Sequence, residues 1–159
     1  MHRRVVTVGI ALMLSLPVLL PAGDAPKSDQ ELEGEWEPQS AVLNGSERPK
    51  PPPDIGGHVS IHGDCLVWAV GSRVTMKYHL DIGESMSTKT VNFTWMLDDH
   101  DKGTRSLGIY EVKDDVLRIC LAKPGNERPT EFSSKEGSGR NIIVLRRRRD
   151  GPPMPHADD

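Results

Sequence analysis

The chain has 159 residues, 36% hydrophobic and 4% aromatic, with a formal charge of −3 at neutral pH. That length supports one domain with a modest core, and the mild acidity argues against a nucleic-acid partner, which normally meets a net basic face. Its two cysteines, Cys65 and Cys120, each belong to an apolar segment, unlike the loop cysteines of a disulfide-stapled miniprotein.

At the front, Met1-His2-Arg3-Arg4 is a short positive segment, followed by an almost uncharged apolar run over residues 5–20 and then by Pro21-Ala22-Gly23-Asp24-Ala25. Charged front, apolar middle and small-residue exit read as a secretory signal peptide over residues 1–25, with cleavage after Ala22 or Ala25. A retained anchor is the rival reading, but the run falls short of the roughly 20 residues a span needs. No cysteine follows the run, which excludes a lipoprotein anchor. Removal of residues 1–25 takes away Arg3, Arg4 and Asp24 and moves the charge from −3 to −4. It also places the mature domain in the periplasm or outside the cell, with no membrane span. In that oxidising setting Cys65 and Cys120 are either small buried hydrophobes or a bridge.

Residues 26–30 are a polar linker. From residue 32 to 42, Leu32, Gly34, Trp36 and Val42 take even positions while Glu33, Glu35, Glu37 and Gln39 take odd ones, which predicts a strand with one wet face. Next comes a long connection, residues 44–56, containing Asn44-Gly45-Ser46 and Lys50-Pro51-Pro52-Pro53-Asp54. Its prolines block sheet pairing and keep it stiff, and its length predicts a segment at a barrel mouth that limits entry to the interior.

Residues 58–62 and 65–70 predict two strands around a Gly63-Asp64 turn. After Gly71-Ser72, residues 73–82 show the clearest period of two: Val74, Met76, Tyr78, Leu80 and Ile82 face one way, Arg73, Thr75, Lys77, His79 and Asp81 the other. A polar loop over residues 83–88 leads to a strand over residues 89–97, carrying Val91, Phe93, Trp95 and Leu97 on one face. A charged turn over residues 98–103 then opens a hairpin whose arms, residues 107–112 and 116–122, flank Lys113-Asp114-Asp115. A Pro/Gly loop ending in Pro129-Thr130-Glu131-Phe132 and a Ser/Gly stretch over residues 133–139 precede a last strand, residues 141–147. Residues 149–159 form a Pro-rich tail.

Eight strands with mostly short connections imply antiparallel neighbours. The simplest closure is an all-β, eight-stranded antiparallel up-and-down barrel over residues 31–148, which removes exposed edges; a two-sheet sandwich is the competitor. The barrel is preferred because Gly34-x-Trp36 lies in the first strand and arginines end the last. That pairing resembles the lipocalin-like pattern, in which a Trp near the barrel floor is covered by an Arg from the final strand. Further matching segments are Leu32-x-Gly34-x-Trp36, Leu107-Gly108-Ile109-Tyr110-Glu111, Leu117-Arg118-Ile119-Cys120-Leu121-Ala122, Pro124-Gly125-x-x-Arg128-Pro129-Thr130-Glu131-Phe132 and Gly137-Ser138-Gly139. Together they resemble the lipocalin-like domain family of planctomycete bacteria, over roughly residues 31–146. The resemblance implies a bacterial exported domain with Gly34 and Trp36 as structural residues and Arg146 or Arg147 stacked on the indole. It carries no catalytic or ligand residues to transfer.

Candidate chemistry is sparse. His58 and His62 share one side of a short strand and His79 lies on the polar face of another, but no third ligand has a fixed spacing for zinc. Asp98-Asp99-His100-Asp101 lacks the rest of a calcium loop. The arginines at 146–149 read as the end of a strand running into a polar tail, with contact to an anionic surface as the sharper alternative. No metal, cofactor or catalytic residue is therefore nominated. The leading expectation is a non-catalytic binding module whose inner positions, Val74, Met76, Tyr78, Phe93, Trp95 and Ile109, line a pocket for a small apolar ligand. The alternative is a structural or protein-interaction domain at the cell envelope with a packed lumen, and an enzyme comes third.

Overall fold

The computed structural model describes residues 29–50 and 57–149. The expected signal segment over residues 1–25, most of the expected linker, residues 51–56 of the proline-rich connection and the tail after Arg149 lie outside the described residues. Among the described residues every regular element is a strand: β1 (Gly34–Leu43), β2 (Ser46–Arg48), β3 (His58–His62), β4 (Cys65–Val70), β5 (Arg73–Ser85), β6 (Thr88–Trp95), β7 (Arg105–Lys113), β8 (Val116–Ala122) and β9 (Arg140–Arg147). All neighbours are antiparallel, and β1 pairs with both β3 and β9. The sheet thus closes into an eight-stranded lipocalin-like up-and-down barrel, with β2 a short ribbon on β1.

Turn chemistry accounts for the tight connections. Asp114 and Asp115 have φ of 50° and 60°, the two positive values that a hairpin turn matching strand twist requires. Met86 and Ser87, at φ 47° and 64°, make the same turn between β5 and β6. Residues 83–88 are therefore not the expected loop. Glu84 pairs with Lys89 and Ser85 with Thr88, so the strands continue to the turn.

Two bulges reset the inside–outside alternation. In β1 the register shifts between Pro38 and Ser40. Trp36 remains inside, but Val42 leaves the Trp36 face and packs with an outer cluster. In β5 the shift opposite Trp68 and Ala69 puts Val74 on the outer face, 36% exposed, while Tyr78, Leu80 and Ile82 stay with the core.

One end of the barrel is closed by residues 29–33. Leu32 was expected in the first strand but belongs to a turn, because its N–H donates to the Asp29 carbonyl and the Asp29 side chain accepts from the Glu31 N–H. Leu32 is thereby driven into the lumen, and its carbonyl accepts the Trp36 indole N–H at 2.9 Å. The Arg147 guanidinium stacks 4.2 Å from the Trp36 ring and donates to the carbonyls of Glu33 and Glu31. Gly34, at φ 118°, leaves that guanidinium its space, since a Cβ there would lie 3.1 Å from Nη1. Arg146 pairs with Glu37 in the ladder, faces the other way and is exposed, so the cover is Arg147 alone.

The same floor carries a polar lock. The Tyr110 hydroxyl donates to Asp29 Oδ2 at 2.5 Å, and the Lys89 ammonium reaches Asp29 at 3.2 Å and also Glu31. Burial disfavours the Asp29 carboxylate, but the bonds from Tyr110, Glu31 and Lys89 outweigh it and hold its pKa below the ordinary 3.8. Burial and the bond to Asp29 push the Tyr110 hydroxyl above its ordinary 10.0, and the bond to Glu31 leads in raising Lys89 above 10.5. A depressed carboxyl contributes stability above its unfolded pKa and loses it as pH falls through the folded one; raised groups contribute below their unfolded pKa and lose it as pH rises through the folded one. The unfolding midpoint should therefore have a plateau between about pH 3.8 and 10.0 and decline on both sides. Urea melts across this range check it: Asp29→Asn should flatten the acid limb and Tyr110→Phe the alkaline one, and unchanged limbs would remove the lock from the account.

Candidate functional site

The lower lumen is filled. Leu32, Ile61, Leu66, Leu80, Val91, Phe93, Tyr110, Leu117 and Ile119 surround a void of only about 10 Å³, at the lower limit for a single water. Among the described residues, that void leaves no room for an apolar ligand at that depth.

The other end is formed by the ends of β1, β4, β6 and β8 and the starts of β3, β5, β7 and β9, and it differs in character. There Tyr78 meets Phe93 and Trp95 edge to face, with ring centroids 5.3 and 5.0 Å apart. Trp68 is opposite Met76 in the ladder, and the Tyr78 hydroxyl contacts the Met76 sulfur at 3.8 Å. Trp68, Met76, Tyr78 and Trp95 are all half-buried, so this aromatic layer keeps part of its surface exposed. Burial, with the charge of Asp101 adding to it, raises the Tyr78 pKa and keeps that hydroxyl neutral. Leu43 at the end of β1, Val70 at the end of β4 and Met96 just past β6 are 41%, 39% and 41% exposed, which leaves apolar side chains uncovered at this end of the barrel. Gly57 sits against the Trp68 indole, where a Cβ would overlap the ring.

Of the six residues expected to line the lumen, Met76, Tyr78, Phe93 and Trp95 come together here. Val74 has been moved outside by its bulge. Ile109 also points outward: it pairs with Cys120, Cys120 with Ile142 and Ile142 with Val42, and these form a second cluster with Phe132 and Val144. The inward residue of that strand segment is Tyr110. Trp68 is a further member, brought to this layer by its register opposite Met76, which the apolar run over residues 65–70 does not reveal.

The connection over residues 123–139 explains why the outer cluster is dry. Phe132 stacks under the Arg118 guanidinium at 4.7 Å, Pro129 is fully buried, and Arg128 donates to the Gly108 carbonyl at 2.6 Å and to Asn92 Oδ1 at 2.7 Å. The Ser134 hydroxyl donates to the Arg140 carbonyl at 2.6 Å and accepts from the Gly45 N–H, a structural clamp and not a nucleophile arrangement. Cys120 is buried beneath this strap, its thiol on the Ser133 carbonyl and its pKa pushed up by burial, which makes it an inert small hydrophobe. Cys65 lies on β4, four strands away from β8 in either direction round the barrel, so a bridge between the two is geometrically excluded.

Two further polar features are present. An open cleft of about 380 Å³ is lined by Ala122, Gly125, Asn126, Glu127, Ser138 and Arg140. Asp99, His100 and Asp101 bring ligand-type atoms within 4.8 Å of one another on an exposed turn, where Asp99 also accepts the Trp95 indole N–H. No family model, curated protein or solved structure matches this chain.

Proposed function

We propose that the chain is an exported, non-catalytic lipocalin-like binding domain that holds a small apolar ligand at the barrel mouth and not in the depth of the lumen. The observation that carries this reading is the half-buried cluster of Trp68, Met76, Tyr78 and Trp95 above a filled lower lumen, with Leu43, Val70 and Met96 exposed at the same end of the barrel. Such a surface offers aromatic faces and a polarizable sulfur to a flat or aliphatic group. With the lower lumen filled, a ligand held there is only partly enclosed. The signal-like first 25 residues support export, and the motif resemblance supports membership of the planctomycete lipocalin-like family.

Binding of an apolar fluorophore to the purified domain tests the reading. The wild type should bind it with quenching of tryptophan emission, and Trp68→Ala should weaken binding about tenfold, the equivalent of 1.4 kcal/mol, while the fold persists. A wild type that binds no probe, or a Trp68→Ala variant that binds equally well, defeats it. The second reading, an envelope protein-interaction domain, then takes over. It is favoured by the packed lumen together with the apolar side chains exposed at this end of the barrel, which a protein partner could cover.

A further inference from the structure

The turn joining β3 to β4 contains two residues, Gly63 and Asp64, with Gly63 at φ 59°. A two-residue turn sets its flanking residues, His62 and Cys65, opposite each other with both side chains on one face. Cys65 is in turn opposite His79 on β5. Ile61, Leu66 and Leu80 occupy the inward positions of the same strands, so the row His62, Cys65, His79 lies on the outer face. Three side chains of metal-ligating type thus stand side by side on three adjacent strands, with the thiol in the middle. The spacing His62-x-x-Cys65 across a hairpin turn is that of ligand pairs in zinc sites.

The surroundings favour a cation. Glu33 Oε2 lies 3.5 Å from His62 Nδ1, Glu35 Oε1 lies 3.4 Å from His62 Nε2, and Asp64 Oδ2 lies 3.3 Å from His79 Nδ1. Glu33 is itself anchored by the Gly63 N–H at 2.7 Å. Two carboxylates therefore face the His62 imidazole and a third faces that of His79. Glu35 Oε2 is buried and has no hydrogen-bond partner among the described residues, a costly state that a neighbouring cation relieves. Carboxylates on the ring nitrogens are also the arrangement that orients histidine ligands and sets which nitrogen meets the metal. With Asp64 on Nδ1, His79 offers Nε2, and His62 exchanges one carboxylate contact for the metal.

We propose that His62, Cys65 and His79 form a zinc-type metal site on the outer face of β3–β5, with Asp64, Glu33 and Glu35 around it. A thiolate with two imidazoles selects Zn²⁺ or an ion of similar softness over calcium or magnesium. The two histidine side chains are 56% and 46% exposed, so the fourth position is open to water. Metal binding converts the Cys65 thiol to thiolate and releases its proton to solvent. This site is separate from the mouth and does not depend on the ligand-binding reading.

Cobalt and zinc alone serve as probes on the reduced full chain. Co²⁺ should bind one ion at this site, with a thiolate-to-cobalt charge-transfer band and the intense visible bands of tetrahedral coordination, and Zn²⁺ should abolish both. Cys65→Ser should eliminate the charge-transfer band and His79→Ala should weaken binding about tenfold or more, whereas Cys120→Ser and His100→Ala should change neither. A wild type without the charge-transfer band overturns the proposal. So does a band that survives Cys65→Ser, or one lost in Cys120→Ser or His100→Ala. Alkylation of Cys65 in the folded wild type gives an answer even where a variant fails to fold: Zn²⁺ should slow it at least tenfold, and an unchanged rate sinks the site.

Discussion

Trp36→Ala should lower the unfolding free energy by about 3–5 kcal/mol, the range for removing a fully buried tryptophan and leaving a cavity. Trp36 has no exposed surface, and its ring is the platform for Arg147. The same guanidinium holds the carbonyls of Glu31 and Glu33, and the indole N–H holds that of Leu32. Loss of the ring therefore releases residues 29–33 as well as emptying the floor. Chemical denaturation gives the energy, and limited proteolysis should show earlier cleavage in the released segment. If the variant melts near the wild-type midpoint and its N-terminal segment stays protected, the stack is not what closes the barrel.

Leu117→Ala should cost about 2–5 kcal/mol and should also change what the barrel admits. Leu117 is fully buried among the residues that fill the lower lumen, where the existing void is about 10 Å³. Truncation opens a dry apolar cavity, and such cavities take up benzene or xenon. The variant should gain thermal stability on adding benzene and the wild type should not. Equal stabilisation of the two proteins would mean that the native lumen is already open. In that case the ligand would belong in the interior and the mouth would be only its entrance.

These experiments bear on a chain whose fold was largely legible in one dimension. Residues 73–82 alternate so regularly that only a strand fits, and the Gly63-Asp64 and Asp114-Asp115 pairs mark hairpins by their backbone requirements alone. The Gly34-x-Trp36 motif and the terminal arginines pointed to the floor through their resemblance to the lipocalin-like pattern, and the stack of Arg147 on Trp36 beside Gly34 is found there.

Facing, register and depth belonged to the tertiary structure. Bulges in β1 and β5 turn Val42 and Val74 outward, since one extra residue reverses every later side chain, and nothing local announces them. In Leu107-Gly108-Ile109-Tyr110 neither face reads as wet, because the strap over residues 123–139 buries the outer one while the lumen buries the inner. The period of two is then silent, and Ile109, expected in the lumen, lies in the outer cluster while Tyr110 faces inward. The third member of the His62–Cys65–His79 row was hidden differently. Cys65 and His79 are 14 positions apart in the chain and become neighbours only when β4 and β5 pair in one particular register. Local periodicity and turn chemistry act over a few residues and are written in sequence, whereas register is selected by how all eight strands share one lumen.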